Sequence, residues 1–121
     1  MGILNAKAIL DAADMPFEDF EVPEWGGAVR LRLLSCKDRD DVAEKAKKNP
    51  AGLGPLLFVK CAIDEDGKPL YPEAQATFIS ATKSAVVMDR VVAKIMAMNG
   101  MSPEAAKENL GKADAGSGTT D

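Results

Sequence analysis

From Asp19 to Val22 acidic and apolar residues alternate, with Phe20 and Val22 on one side and Asp19 and Glu21 on the other. After a bend containing Pro23, Gly26 and Gly27 the alternation resumes, setting Val29, Leu31 and Leu33 against Arg30 and Arg32. Period-two patterning on both sides of a Pro/Gly-rich bend predicts a β-hairpin over about residues 17–34. Pairing Val22 with Val29 would set Glu21 against Arg30, Phe20 against Leu31 and Asp19 against Arg32. One face is then apolar, and the other carries opposite charges across the strands, each pair worth roughly 0.2–1 kcal/mol. Two strands alone are marginal, so the apolar face must rest on something else.

The remaining pattern is helical. Residues 1–14, with Ile3, Leu4, Ile9 and Leu10, fit either a short helix or a frayed arm. Ser35 is placed to cap a helix over about 36–48, with Asp38 as the third residue of a capping box. That segment opens on Asp38, Asp40 and Asp41 and ends on Lys45, Lys47 and Lys48, an order that suits the helix dipole. Its apolar stripe (Cys36, Val42, Ala43, Ala46) is thin, as on a surface helix. Leu56–Ile63 is apolar except for Lys60, and so short a run fits a buried helix or a buried strand. Its leucines and alanine favour a helix over about 53–63. Asp64–Gly67 reads as a turn, Pro69–Tyr71 as extended chain, and Pro72-Glu73 as the opening of a short helix through Phe78 and Ile79. The longest helix is expected over about 82–99, with Val87, Val91, Ile95 and Met98 in one stripe, widened by Met88 and Val92, and with Gly100 as its stop. Ser102-Pro103 should restart a helix to Leu110, while residues 111–121 lack an apolar anchor and read as a disordered tail.

These elements define an α+β, mainly α-helical fold: an N-terminal hairpin packed on four to five helices, in one domain spanning residues 1–110. Composition changes this picture little, since 46% apolar and 28% charged residues are ordinary for a globular protein. A net charge of −4 argues against a nucleic-acid partner, which calls for a basic face. No apolar run approaches the length of a membrane span, and the N-terminus has neither a signal-peptide pattern nor a myristoylation motif.

Candidate chemistry is sparse. The chain has no histidine, which removes His-based triads and His metal sites. Cys36 and Cys61 stand 25 residues apart in no paired motif and read as unbridged thiols on apolar faces. Asp64-Glu65-Asp66-Gly67 fails as a calcium loop, because Ala62 falls where the first carboxylate is required. Gly52-Leu53-Gly54 is explained by helix breaks, and the acids at 38–41 by first-turn charge. No nucleophile has a visible activator, so no enzyme, cofactor or metal is expected. Two features suit protein contacts instead. Trp25, the single tryptophan, sits at the bend, either as a core clamp or as an anchor for a partner. The arc of Val87, Met88, Val91, Val92, Ile95 and Met98 is wide and rich in adaptable methionine, and serves as a core helix, an interface, or one on each side.

"VPEWGGAVRLRLLS", then a charged helix, an apolar segment ending "CAIDEDGKPLYPEA", and a last long helix ending in Asn99-Gly100 resemble the tail assembly chaperones of long-tailed, siphovirus-type bacteriophages. The similarity spans about residues 16–110, and its strongest part is the acidic strand, "VPEWGG" and the alternating Arg strand.

The resemblance implies a non-enzymatic protein that acts in the host bacterial cytoplasm and is absent from the mature virion. Such chaperones coat and solubilise the tape measure protein and help the major tail-tube protein assemble around it, self-associating into rings or spirals. Many are also made as a longer product by a −1 ribosomal frameshift. Leu110-Gly111-Lys112 is compatible with a slippery G-GGA-AAG heptamer and marks the candidate frameshift position. The competing expectation is a structural tail or neck component that stays in the virion.

Overall fold

The computed structural model describes residues 2–101 of the chain. The expected helix at 102–110, the tail at 111–121 and the candidate frameshift position at Leu110, Gly111 and Lys112 lie outside the described residues. An exposed helix α1 (Ala6–Asp11), capped by the Asn5 side chain, precedes strands β1 (Phe17–Val22) and β2 (Gly27–Arg32). Helices α2 (Cys36–Lys48) and α3 (Leu53–Cys61) follow, then a two-residue strand β3 (Ala62–Ile63). Helices α4 (Ala76–Thr82) and α5 (Ala85–Met98) complete the fold. The architecture is the expected α+β, mainly helical one, with α5 the longest helix.

The hairpin forms with its register moved by two residues from the expected pairing. Phe20 faces Val29, Asp19 faces Arg30, Glu21 faces Ala28 and Phe17 faces Arg32. The cause lies in the bend. Pro23–Trp25 form one 3-10 turn, and Gly26 at φ 79° accepts the left-handed geometry that closes it, its N–H donating to the Pro23 carbonyl at 3.0 Å. A four-residue connection draws the strands together earlier than a longer one would. A shift of two preserves the faces, so Val22 and Leu31 still point inward and are fully buried. Its effect is on the charge pairs. Arg30 makes two hydrogen bonds to Asp19, at 2.8 and 3.0 Å, while Arg32 donates to the Lys60 carbonyl at 3.2 Å.

The second correction is at the end of α3. The expected helix to Ile63 stops at Cys61, and Ala62–Ile63 turn extended to make the third strand of a sheet ordered β1-β2-β3. Ala62 faces Leu31, Ile63 faces Arg30, and on the other side Leu70 donates to the Ala62 carbonyl at 3.0 Å. Leu31 and Arg30 are remote in sequence, so the apolar run itself carries no sign of them. The turn at Asp64–Gly67 forms as expected, with Asp64 Oδ1 accepting from the backbone of Asp66 and Lys68.

Helix α5 begins three residues later than expected. Lys83 is extended, and the Ser84 hydroxyl accepts from Val87 N–H at 3.4 Å as the N-cap. It ends as expected at Gly100, whose φ of 68° allows a Schellman closure: Gly100 N–H to the Ala97 carbonyl and Met101 N–H to the Met96 carbonyl. Asn99, the last residue before that stop, donates to the Ile95 carbonyl and accepts from Leu34 N–H at 2.8 Å. One side chain thus fastens the exit of the hairpin to the end of α5.

The core forms around α3. Leu56, Leu57, Phe58, Val59 and Cys61 are all buried, against α5 on one side and α2 and α4 on the others. Each fully buried aliphatic side chain stabilises by about 1.5–3 kcal/mol. Cys61 is buried here, whereas Cys36 is exposed rather than on an apolar face, because only Val42 of its helix reaches the core. Both cysteines are unbridged.

Lys60 is the one charged residue of α3, its side chain 14% exposed. Its ammonium lies 2.7 Å from Asp41, 3.3 Å from Glu73 and 3.7 Å from Asp38, and Lys45 joins Asp41 and Glu73. Hydrogen bonds from Lys60 and then Lys45 hold Asp41 below its ordinary 3.8, and Lys45 and Lys60 hold Glu73 below 4.5. Burial opposes the charge on Lys60, yet the hydrogen bonds to Asp41 and Glu73 together raise it above 10.5.

The depressed carboxylates stabilise the fold above their unfolded values and lose that contribution as pH falls through the folded ones. The raised lysines act in the opposite sense, stabilising below 10.5 and failing as pH rises past it. Thermal stability should therefore be level between about pH 6 and pH 9 and decline below about pH 4. Lys60→Ala should lower the level region by about 1–2 kcal/mol and flatten the acid decline, measured by circular-dichroism melts across pH.

Candidate interaction surface

Trp25 is carried by the 3-10 turn at the hairpin tip and is half-buried. Its ring meets Phe58 edge-on, with centroids 5.8 Å apart and planes at 76°, a favourable quadrupolar arrangement. Phe58 in turn contacts Tyr71 at 6.2 Å, and the Lys83 ammonium lies 5.9 Å over the Trp25 ring. With Ile79 these side chains line a cleft of about 190 Å³. Trp25 therefore has two roles available: its edge clamps the core through Phe58, and its remaining surface opens on the cleft. The tip is also pinned from the side by an ion pair between Glu24 and Arg90 of α5, while Glu18 pairs with Lys94 one helical turn further on. Hydrogen bonding to Arg90 holds the Glu24 carboxyl below its ordinary range.

The apolar arc of α5 divides. Val87, Met88, Val91 and Ile95 are buried in the core, whereas Val92 and Met98 lie half-buried along its edge. Met88 and Val92 also border a depression of about 220 Å³, into which Gly54 and Pro55 of α3 face. The absence of a side chain on Gly54 leaves room there, since a Cβ would stand 3.6 Å from Val92. The wide arc seen in the sequence is wide because α5 covers both α3 and the sheet.

Three features had little or no signal in the sequence. Phe58, Tyr71 and Ile79 come from three separate segments, and only the fold gathers them under Trp25. Lys83 follows α4 in the extended link to Ser84, a link that the expected helix start at 82 concealed. A larger open groove of about 350 Å³ runs between α2 and α4, with Lys45 and Glu73 at its rim. Among the described residues no three His, Cys, Asp or Glu side chains are grouped to hold a metal ion, and no helix is long and apolar enough to cross a membrane.

A hairpin set on a helical body is a fold that this chain shares with a solved phage tail assembly chaperone. That structure is the tail assembly chaperone of bacteriophage HK97, similar at a TM-score of 0.55 and 21% identity, over 74% of this chain and 90% of that one. It comes from the same family that the sequence resembles. No family model and no curated protein matches the sequence.

Trp25→Ala should leave the protein folded and cost about 1–3 kcal/mol, less than the roughly 3–5 kcal/mol of a wholly buried aromatic. A chemical-denaturation curve followed by circular dichroism measures this. In the native state a thiol reagent should modify Cys36 alone, because burial pushes the Cys61 thiol up to about 12. Counting reacted thiols before and after unfolding checks it.

Proposed function

We propose that this protein is a non-enzymatic tail assembly chaperone of a long-tailed phage. It binds and solubilises a tape measure protein and promotes assembly of the major tail-tube protein around it. The observation that carries the reading is the shared fold with the HK97 chaperone, extending over 90% of that chain. A tape measure is long and helical and exposes apolar stripes until it is encased. A chaperone for it needs modest apolar surfaces repeated over many copies, because linked weak contacts add to a strong hold. Val92 and Met98 on the edge of α5 are the side chains assigned to the tape measure, by helix-in-groove contact. Trp25 is assigned to contact between copies, with Val87, Met88, Val91 and Ile95 supporting both surfaces from the core. The protein works in the host bacterial cytoplasm, takes no cofactor and leaves before the virion matures. A longer product made by frameshifting at Leu110-Gly111-Lys112 belongs to the same reading.

Co-expression with the tape measure protein of the same phage tests this directly. The tape measure should move from the pellet to the soluble fraction and co-elute with the chaperone on size exclusion. Persistent insolubility with no co-elution contradicts the reading, as does finding the chain at stoichiometric levels in mature tails. Met98→Glu, at a half-buried position on the edge of α5, should weaken the complex about tenfold, with a circular-dichroism spectrum like that of wild type checking that the chain stays folded.

A further inference from the structure

Helix α5 carries three charged residues, Asp89, Arg90 and Lys94. Arg90 and Lys94 are spent on the hairpin, through Glu24 and Glu18. Asp89 instead borders the depression of about 220 Å³ beside Gly54 and Val92. The rest of the outward face of α5 is apolar, with Ala85, Val86, Ala93 and Ala97 all exposed. Val86, at 74%, is the most exposed large apolar side chain outside the N-terminal arm among the described residues. Lys83, in the link before α5, borders the same depression as Asp89. Among the described residues neither of the two is paired with an opposite charge, whether with each other or elsewhere. Lys83 has only the Trp25 ring at 5.9 Å, near the outer limit of a cation–π contact.

We infer that two copies of this chain join by a two-fold contact across this face, with Lys83 of each on Asp89 of the other. Self-complementarity selects the occupant. Lys83 and Asp89 stand three residues before and three residues after Val86, so a copy running past Val86 in the opposite direction exchanges their positions. It brings a carboxylate to each Lys83 and an ammonium to each Asp89, and the two exposed valines meet at the axis. A copy running in the same direction would set like charges side by side, which is costly. The N-terminal arm is also apolar and exposed, yet it does not match. Its one basic side chain, Lys7, is already paired with Asp11 at 2.6 Å, which leaves nothing for Asp89. Small residues help the approach, since the distance between packed helices follows the side chains at their contact. Ala85 supplies one on α5, and Gly54 another at the depression.

Such a contact is isologous and closes at two copies. It is additional to the joint assigned to Trp25, which longer rows would still require. Val92 borders both this contact and the tape-measure surface, whereas Met98, at the far end of α5, lies outside the contact.

The test is sedimentation velocity of the full-length protein alone over a concentration series. Wild type should dimerise. Asp89→Lys and Lys83→Glu, both at exposed positions, should each weaken dimerisation more than about tenfold, with unchanged circular-dichroism spectra. An equal mixture of the two single variants should form a heterodimer, because both charge pairs then become opposite again. The doubly exchanged chain, Lys83→Glu with Asp89→Lys, should dimerise with itself and not with wild type. A wild type that stays monomeric at every concentration overturns the inference. So does an Asp89→Lys chain that dimerises like wild type, or a mixture of the single variants that stays monomeric. Solubilisation of the tape measure is scored separately: its retention where this contact fails leaves the chaperone reading standing.

Discussion

Enclosure of α3 is the constraint from which the rest of the fold follows. A helix buried on all sides must have its neighbours supplied by distant segments, here α2, α4 and α5, with the sheet continuing directly from its last residue. That requirement explains why an otherwise apolar helix carries Lys60. Its ammonium emerges where α2 and the turn before α4 meet, and Asp41 and Glu73 close over it from those two sides. The pairing selects one arrangement of three elements that apolar packing alone would leave free to slide. Removing one partner would strand charge in a half-buried place, which makes the cluster a determinant of geometry more than a reserve of stability.

A second set of polar ties acts around the hairpin. Arg32 reaches the carbonyl at the end of α3, Asn99 holds Leu34, and Glu18 and Glu24 grip α5 at two successive turns. The hairpin is therefore fastened along its length, and its tip is rigid enough to present Trp25 in one orientation. A tryptophan whose edge is spent on Phe58 keeps little conformational freedom, so a contact made by its remaining open surface would cost little ordering.

Local signals were legible and long-range ones were not. Ser35, Pro23 with Gly26, Asp64 with Gly67, and Gly100 each act within four residues of themselves, and each was readable from the sequence. Hairpin faces were readable too, because alternation depends only on parity. Register was not, since it depends on how many residues the 3-10 turn consumes. The pairing of Ala62–Ile63 with Leu31 and Arg30, and the gathering of Phe58, Tyr71 and Ile79 under Trp25, depend on partners more than 30 residues away. In α5 the sequence displayed the breadth of the apolar arc but not its division into Val87, Val91 and Ile95 inside and Val92 and Met98 at the edge. That division is set by what packs against the helix, which periodicity does not record.

The Asn99–Leu34 tie has a consequence for the shape of any assembly. Leu34 lies two residues beyond Arg32, and Arg32 is the strand partner of Phe17, where the arm begins. Both routes out of the folded body, toward residue 2 and beyond residue 101, thus open at the same end of the hairpin, opposite the turn that carries Trp25. The subunit has a head and a tail. A row of such subunits would possess a direction, as a filament with distinguishable ends does.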